Sequence, residues 1–415
     1  MNRGVFPFLC VAILGLAIPA FAASNHWFVV NEDNDHFFKL PSAEMTRKGL
    51  ADYADFIARG HVTHVFLCVC GQRTSYGSKS WEPIWMGLNE QGRPDTATKP
   101  DGTHDRWAVN CKLLYDRGID PYAVWIARFR EKGVSPWLSM RMNDVHFGSD
   151  TNYFRNTSFY KSHPEWRFDP ASGRWSDWQL DYARPEVRDY HLAQAREIVD
   201  RWDADGLELD WMRFGRVFRS GEERGNAPLL DAFMRDVRKA ADAAGLRRGR
   251  PMKLAVRVPP TPEEAERLGF NVIDWAKEGL VDVIVADDFM DVLPDLPVDA
   301  WMARLRGTSA RFLPGTGGTL PKSLSRGDAP AFYRELVARY CAHGAMGAYF
   351  FNLPYLSNVR YSTDGRGDDE HDVAAELYEN GIFVRKGKGV GALLATEINS
   401  RSHGASRASK ARIAP

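Results

Sequence analysis

A (β/α)8 barrel is the fold class that the sequence predicts, and three observations predict it. From about His26 to Ser357, apolar strand-like runs alternate with amphipathic helical stretches, eight such runs can be counted, and turn signals close helices just before strands. Alternating β and α units imply a parallel sheet, and eight of them in this length favour closure into one α/β barrel over an open sheet.

The eight runs are Trp27 to Val30, Thr63 to Val69, Pro136 to Met142, Gly206 to Trp211, Leu254 to Val258, Val281 to Ala286, Ala310 to Leu313 and Met346 to Phe351. Asp120-Pro121 supplies a helix cap and a first-turn proline, and Gly133 ends that helix before the third strand. Pro185 opens another helix, whose apolar residues are Val187, Leu192, Ala195, Ile198 and Val199. Leu229 to Ala244 is expected to stop at Gly245, and Pro330 to His343 at Gly344. The connection from Asp144 to Arg184 is too long for a simple loop after the third strand. It carries Phe147, Tyr153, Phe154, Phe159, Tyr160, Trp166, Phe168, Trp175 and Trp178, flat faces suited either to sugar rings or to packing as a lid.

The barrel domain is expected over residues 23–384. Met1 to Ala22 has Arg3, an apolar run from Val5 to Ile18 and a small-residue Ala20-Phe21-Ala22 end, the pattern of a secretory signal too short to span a membrane. The expected location is therefore secreted or periplasmic, with cleavage near Ala22 and no stable membrane insertion. Residues 385–415 carry Arg385, Lys386, Lys388, Arg401, Arg407, Lys410 and Arg412 against Glu397 alone, amid Ser, Gly and Ala, and are expected to form a disordered tail. Over the whole chain 54 Lys and Arg balance 54 Asp and Glu, which argues against a nucleic-acid partner. Cys68 and Cys70 point to opposite faces of one strand and cannot easily bridge each other. A bond from either to Cys111 or Cys341, or buried free thiols, are both compatible with the spacing.

The fourth strand carries the chemistry. Side chains alternate along Ala204 to Phe214, so Glu208, Asp210 and Met212 share one face and Leu207 and Leu209 the other. Inward acids are costly in a barrel unless they reach its C-terminal mouth, where barrel active sites lie. A buried salt bridge with Arg213 or Arg257 is the purely structural alternative. Other strand ends bring Glu32 and its acidic neighbours, Arg73, Arg141 with Asn143, Asp144 and His146, Arg257, Asp287-Asp288 and Asn352 to the same rim. Asp144 with His146 is too small a set for a catalytic metal, so neither a metal nor another cofactor is expected. Gly315-Thr316-Gly317-Gly318 follows the seventh strand, a place where barrels often hold phosphate, although short glycine runs are also ordinary turns.

ADGLELDWMR, with WLSMRMNDVH, ARPEVRDYH and KLAVRVP, resembles the barrels of glycosyl-hydrolase-like family 10 and related secreted bacterial proteins, from about Asn31 to Leu356. The resemblance implies a glycosidase acting on an oligo- or polysaccharide. Asp205 to Trp211 is also similar to the DGLDIDWE strand of family 18 chitinases, but their proton donor falls on Met212, which has no proton to give. The α-galactosidase-like clan places a nucleophilic Asp after strand four and an acid/base Asp after strand six, a layout that Asp210 and Asp287 or Asp288 fit. The expectation is retaining hydrolysis with Asp210 as nucleophile, Asp287 as leading acid/base, and Glu208 holding Arg141 or Arg257 and tuning Asp210. Glu208 or Glu32 as the acid is the alternative assignment. Arg141, Asn143, Asp144, His146, Arg257, Arg213, Arg73, Asn352 and Trp178 are the expected substrate contacts. A carbohydrate-binding barrel without hydrolysis is the second reading, which Met212 makes credible.

Overall fold

The structure, a computed structural model, describes residues 26–383 apart from 93–102, 151, 170–176, 290, 318–319, 322–323 and 358–371. The expected signal segment and basic tail lie outside the described residues. Eight parallel strands close into a barrel in sequence order: β1 (Trp27–Glu32), β2 (His64–Cys70), β3 (Ser135–Arg141), β4 (Gly206–Asp210), β5 (Lys253–Val258), β6 (Val283–Ala286), β7 (Arg311–Gly317) and β8 (Gly347–Phe351). The fold is the (β/α)8 barrel that the alternating pattern predicts.

Two cores result. The barrel interior is packed with Trp27, Val29, Phe66, Trp137, Ala255, Val283, Val285, Leu313, Tyr349 and Phe351, and Phe66 stacks on Trp137 at 4.8 Å. The outward faces, among them Phe28, Val30, Leu207 and Leu209, meet the helices in a larger layer. Strand alternation therefore sorts each strand between the two.

Several boundaries differ from expectation. The helix expected to stop at Gly245 runs from Glu223 to Arg248 and ends on left-handed Gly249. Gly245 is small for a different reason: a Cβ there would lie 2.9 Å from the backbone of Arg250 and Met252, so it marks a close approach of the returning chain. β7 continues through Pro314 to Gly317, with Pro314 in register with Ala286. The four described cysteines, Cys68, Cys70, Cys111 and Cys341, are all free thiols, three of them buried.

Candidate active site

β4 sits between β3 and β5, with Glu208 in register with Ser139 and Ala255 and Asp210 in register with Arg141 and Arg257. This pairing sets two polar tiers above the apolar interior. The lower is built around Glu208, which is fully buried. Its Oε2 accepts hydrogen bonds from Ser139 Oγ at 2.5 Å, Asn31 Nδ2 at 2.9 Å and Tyr349 OH at 3.2 Å, while Oε1 has no partner. Burial, reinforced by the nearby Asp210, pushes this carboxyl up to about 8. Among the described residues no arginine bonds to it, which corrects the expectation that Glu208 holds Arg141 or Arg257.

The raised value favours the protonated form of Glu208, so the fold is favoured below its ordinary 4.5 and loses that contribution as the pH climbs through about 8. Glu208→Gln, an amide that mimics the protonated acid, is expected to melt like the wild type near pH 5 and at a higher temperature near pH 9. Thermal unfolding at the two pH values checks this; an equal difference at both would contradict it.

The upper tier is held by Arg257, whose side chain is fully buried. Its Nη1 donates to Asp210 Oδ2 at 3.1 Å, its Nε and Nη2 donate to Asp287 Oδ2 at 3.0 and 2.8 Å, and Nη2 also reaches the carbonyl of Phe289. One guanidinium therefore joins the acids of β4 and of the end of β6. Asp210 Oδ1 further accepts the backbone N–H groups of Met212 at 3.0 Å and Arg213 at 3.2 Å. Burial raises the Asp287 carboxyl to about 6 even with Arg257 beside it. Asp288 is only half-buried, so Asp287 is the one of the two that enters the barrel.

Gly315 makes room for it. A Cβ at this position would lie 2.4 Å from Asp287 Cγ, and residues 315–317 belong to β7 rather than to a phosphate-binding turn. Gly315→Ala is expected to displace the Asp287 carboxyl from Arg257 and destabilise the fold by about 1–3 kcal/mol. Urea unfolding would show it; a midpoint equal to that of the wild type would contradict it.

Arg141 organises the other side of the mouth. It pairs with Asp33 and, at 2.6 Å, with Asp144 Oδ2, and Asn352 bonds Asp33 through Nδ2 at 2.7 Å. Burial opposes the charge on both acids. Arg141 nevertheless, with Arg213 on Asp33 and His146 on Asp144, holds them below the ordinary carboxylate range. Asp144 Oδ1 lies 2.5 Å from His146 Nδ1, and His146 Nε2 lies 3.0 Å from Arg213 Nη2. Because guanidinium only donates, His146 presents a lone pair at Nε2 and a proton at Nδ1. Burial lowers the His146 pKa, in keeping with that neutral form.

Five non-glycine residues among those described have positive φ: Asn34 (63°), Phe147 (56°), Phe214 (76°), Phe289 (49°) and Asn352 (54°). All lie within a few residues after a barrel strand, at the C-terminal rim. A bulky residue in this region is strained by roughly 1–3 kcal/mol, and such strain gathers where function overrides local preference. At Phe289 it accompanies a carbonyl turned onto Arg257.

Other expected contacts are placed elsewhere. Asn143 spends Nδ2 on the carbonyls of Leu180 and Arg216 and its Oδ1 on Leu180 N, so it clamps the long connection. Arg73 pairs with Glu82 at 2.7 Å and donates to the Asn156 carbonyl. Trp178 is half-buried, with its carbonyl bonded by Tyr160 OH, and Phe159 stacks on Tyr190 at 3.8 Å. These residues serve a lid that packs through its own aromatics. Glu32 points outward and pairs with His36 beneath the helices, so it is not brought to Asp210. Glu32, Asp35 and His36 do place ligand-type atoms within 4.8 Å of one another, but Lys39 Nζ already stands 2.5 Å from Asp35 Oδ2 as the local cation.

Sequence reasoning had Asp33 only as one of the acidic neighbours of Glu32 at the rim, and it missed Phe289, Phe351 and Tyr349. Tyr349 and Phe351 have the inward parity of β8, a signal that was readable; the turn at Phe289 left none.

No protein-family model and no curated protein matches the chain. Among solved structures it is similar to α-L-fucosidase isoenzyme 2 from Paenibacillus thiaminolyticus, with a TM-score of 0.51 and 14% identity over 86% of this chain and 49% of that one. The chain thus spans about half the length of that enzyme, and the likeness is one of fold. It is also similar to a maltogenic α-amylase from Thermotoga neapolitana (TM-score 0.44, 13% identity, 87% and 77% of the two chains). A third similar structure is an α-galactosidase from Thermus thermophilus (TM-score 0.41, 15% identity, 78% and 57%).

Proposed function

We propose that this chain is a secreted glycoside hydrolase that cleaves an oligo- or polysaccharide with retention, Asp210 acting as nucleophile and Asp287 as acid/base. One observation carries the reading: Asp210 and Asp287, from the ends of β4 and β6, share a single buried guanidinium at the C-terminal mouth of the barrel. The resemblance of ADGLELDWMR and its companion motifs to glycosyl-hydrolase-like family 10 supports it.

In the first step Asp287 gives its proton to the glycosidic oxygen, the bond from the anomeric carbon to that oxygen breaks, and the anomeric carbon bonds to the Asp210 carboxylate. In the second, ionised Asp287 takes a proton from water, whose oxygen displaces Asp210 from the sugar. Retention requires carboxyl groups roughly 5 Å apart, and inversion roughly 6.5–9.5 Å. A carboxyl raised to about 6 suits the acid role at neutral pH. Arg257 keeps Asp210 in place, and Glu208 below it stays neutral, so the nucleophile is not crowded by a second charge.

A non-hydrolytic carbohydrate-binding barrel is favoured by a different observation: Glu208, Asp210 and Asp287 are 0%, 1% and 0% exposed. Hydrolysis requires the residues at the mouth to move aside for a sugar. Reducing ends released over time from a glycan panel by wild type, and not by Asp210→Asn, support the enzyme. Binding without release supports the binding barrel and overturns the hydrolytic reading.

A further inference from the structure

Three arginines stand at the mouth, and their partners are divided unequally. Arg141 takes Asp33 and Asp144, and Arg257 takes Asp210 and Asp287. Arg213, three residues after Asp210, forms no ion pair among the described residues. It is 8% exposed, and its Nε and Nη1 have no hydrogen-bond partner. Its Nη2 donates to neutral His146 Nε2 at 3.0 Å, and its guanidinium lies 4.7 Å from the Phe289 ring, 5.6 Å from Phe351 and 6.0 Å from Phe214.

An unpaired buried cation is costly, and structures that keep one have a use for it. Desolvation and the neighbouring Arg141 both disfavour its charge, and Asp33, Asp144 and Asp210 compensate in part, without a direct bond to it. The aromatic faces offset part of the cost. A sugar hydroxyl would accept one hydrogen from Arg213 but leave the charge unmatched. An anionic substituent would satisfy both, and charge-assisted bonds to guanidinium are the stronger kind. His146, itself held by Asp144, fixes the guanidinium at Nη2 and leaves Nε and Nη1 without a partner.

We propose that Arg213 receives the anionic group, carboxylate or sulfate, of an acidic sugar bound beside Asp210. This rests on the reading of the site as a glycosidase and names the substrate class. Among neutral and acidic glycans of the same linkage, the acidic ones are the substrates.

The test measures kcat/KM for uronate-containing and sulfated oligosaccharides beside their carboxyl-reduced and desulfated counterparts. Wild type is expected to prefer one charged form by about 100-fold or more, with Arg213→Gln losing that preference and Arg213→Lys keeping part of it. Preference for uronate over sulfate, or the reverse, identifies the anion. Equal rates on charged and neutral substrates, or a preference that survives Arg213→Gln, overturn the inference and leave hydrolysis standing. If wild type cleaves none of them, calorimetry with glucuronate, glucose 6-sulfate and glucose decides. Binding of a charged sugar that Arg213→Gln loses supports the inference and sinks the hydrolytic reading. Failure of both charged sugars to bind overturns the inference.

Discussion

Asp210→Asn is expected to lower kcat/KM by about 10⁴-fold or more, the scale of losing a covalent nucleophile. The amide keeps the shape of the acid, and its Oδ1 can still accept the N–H groups of Met212 and Arg213. The fold should therefore survive, which an unchanged circular dichroism spectrum would confirm. What is lost is the ability to bond the anomeric carbon. Asp210→Gly supplied with azide should recover turnover and yield a glycosyl azide of inverted configuration, because the small anion enters where the carboxylate stood. Full activity of Asp210→Asn on a substrate that wild type cleaves would remove Asp210 from the mechanism.

The second large effect is on stability. Arg257→Met leaves Asp210 and Asp287 buried with no cation between them, a loss of about 3–5 kcal/mol by comparison with other broken buried pairs. The loss should depend on pH in a definite sense. Asp287 is already raised to about 6 with Arg257 present, and removing the arginine raises it further. At pH 5 the variant can protonate Asp287 and escape part of the penalty; at pH 8 it has to ionise both acids or bind a proton from dilute solution. Urea unfolding should therefore show a smaller difference from wild type at pH 5 than at pH 8. A difference of the same size at both, or none at either, would mean that the shared guanidinium matters less than its geometry implies.

The barrel was legible because each strand announces itself by composition and each junction by a breaker. Gly133 and Pro185 behave as their positions imply. Gly245 does not, because its smallness answers a tertiary neighbour that local sequence does not express: the backbone of Arg250 and Met252 folded back against it. Within the site, alternation placed Glu208 and Asp210 inward and implied that only one of Asp287 and Asp288 enters, which the burial of Asp287 decides. The partners were harder to read. Asn31 and Ser139 have the inward parity that puts them around Glu208, but only the register between strands sets them at its height. Arg257 was visible as an inward cation, yet which acids it would join depends on the stagger of β4, β5 and β6. The left-handed turns at Phe214 and Phe289 defy local preference, so no sequence rule finds them. Asn143, Arg73 and Trp178 have residue types suited to sugars, and tertiary packing uses them in the lid instead.

The most direct test of the central claim is to trap the intermediate. Wild-type protein is incubated with a panel of activated 2-deoxy-2-fluoro glycosides, acidic sugars included, then digested and analysed by mass spectrometry. One added glycosyl group is expected, on the peptide that contains Asp210 and on that side chain. A label on a different carboxylate, or none from the fluoro analogue of a glycoside that the protein hydrolyses, would contradict it.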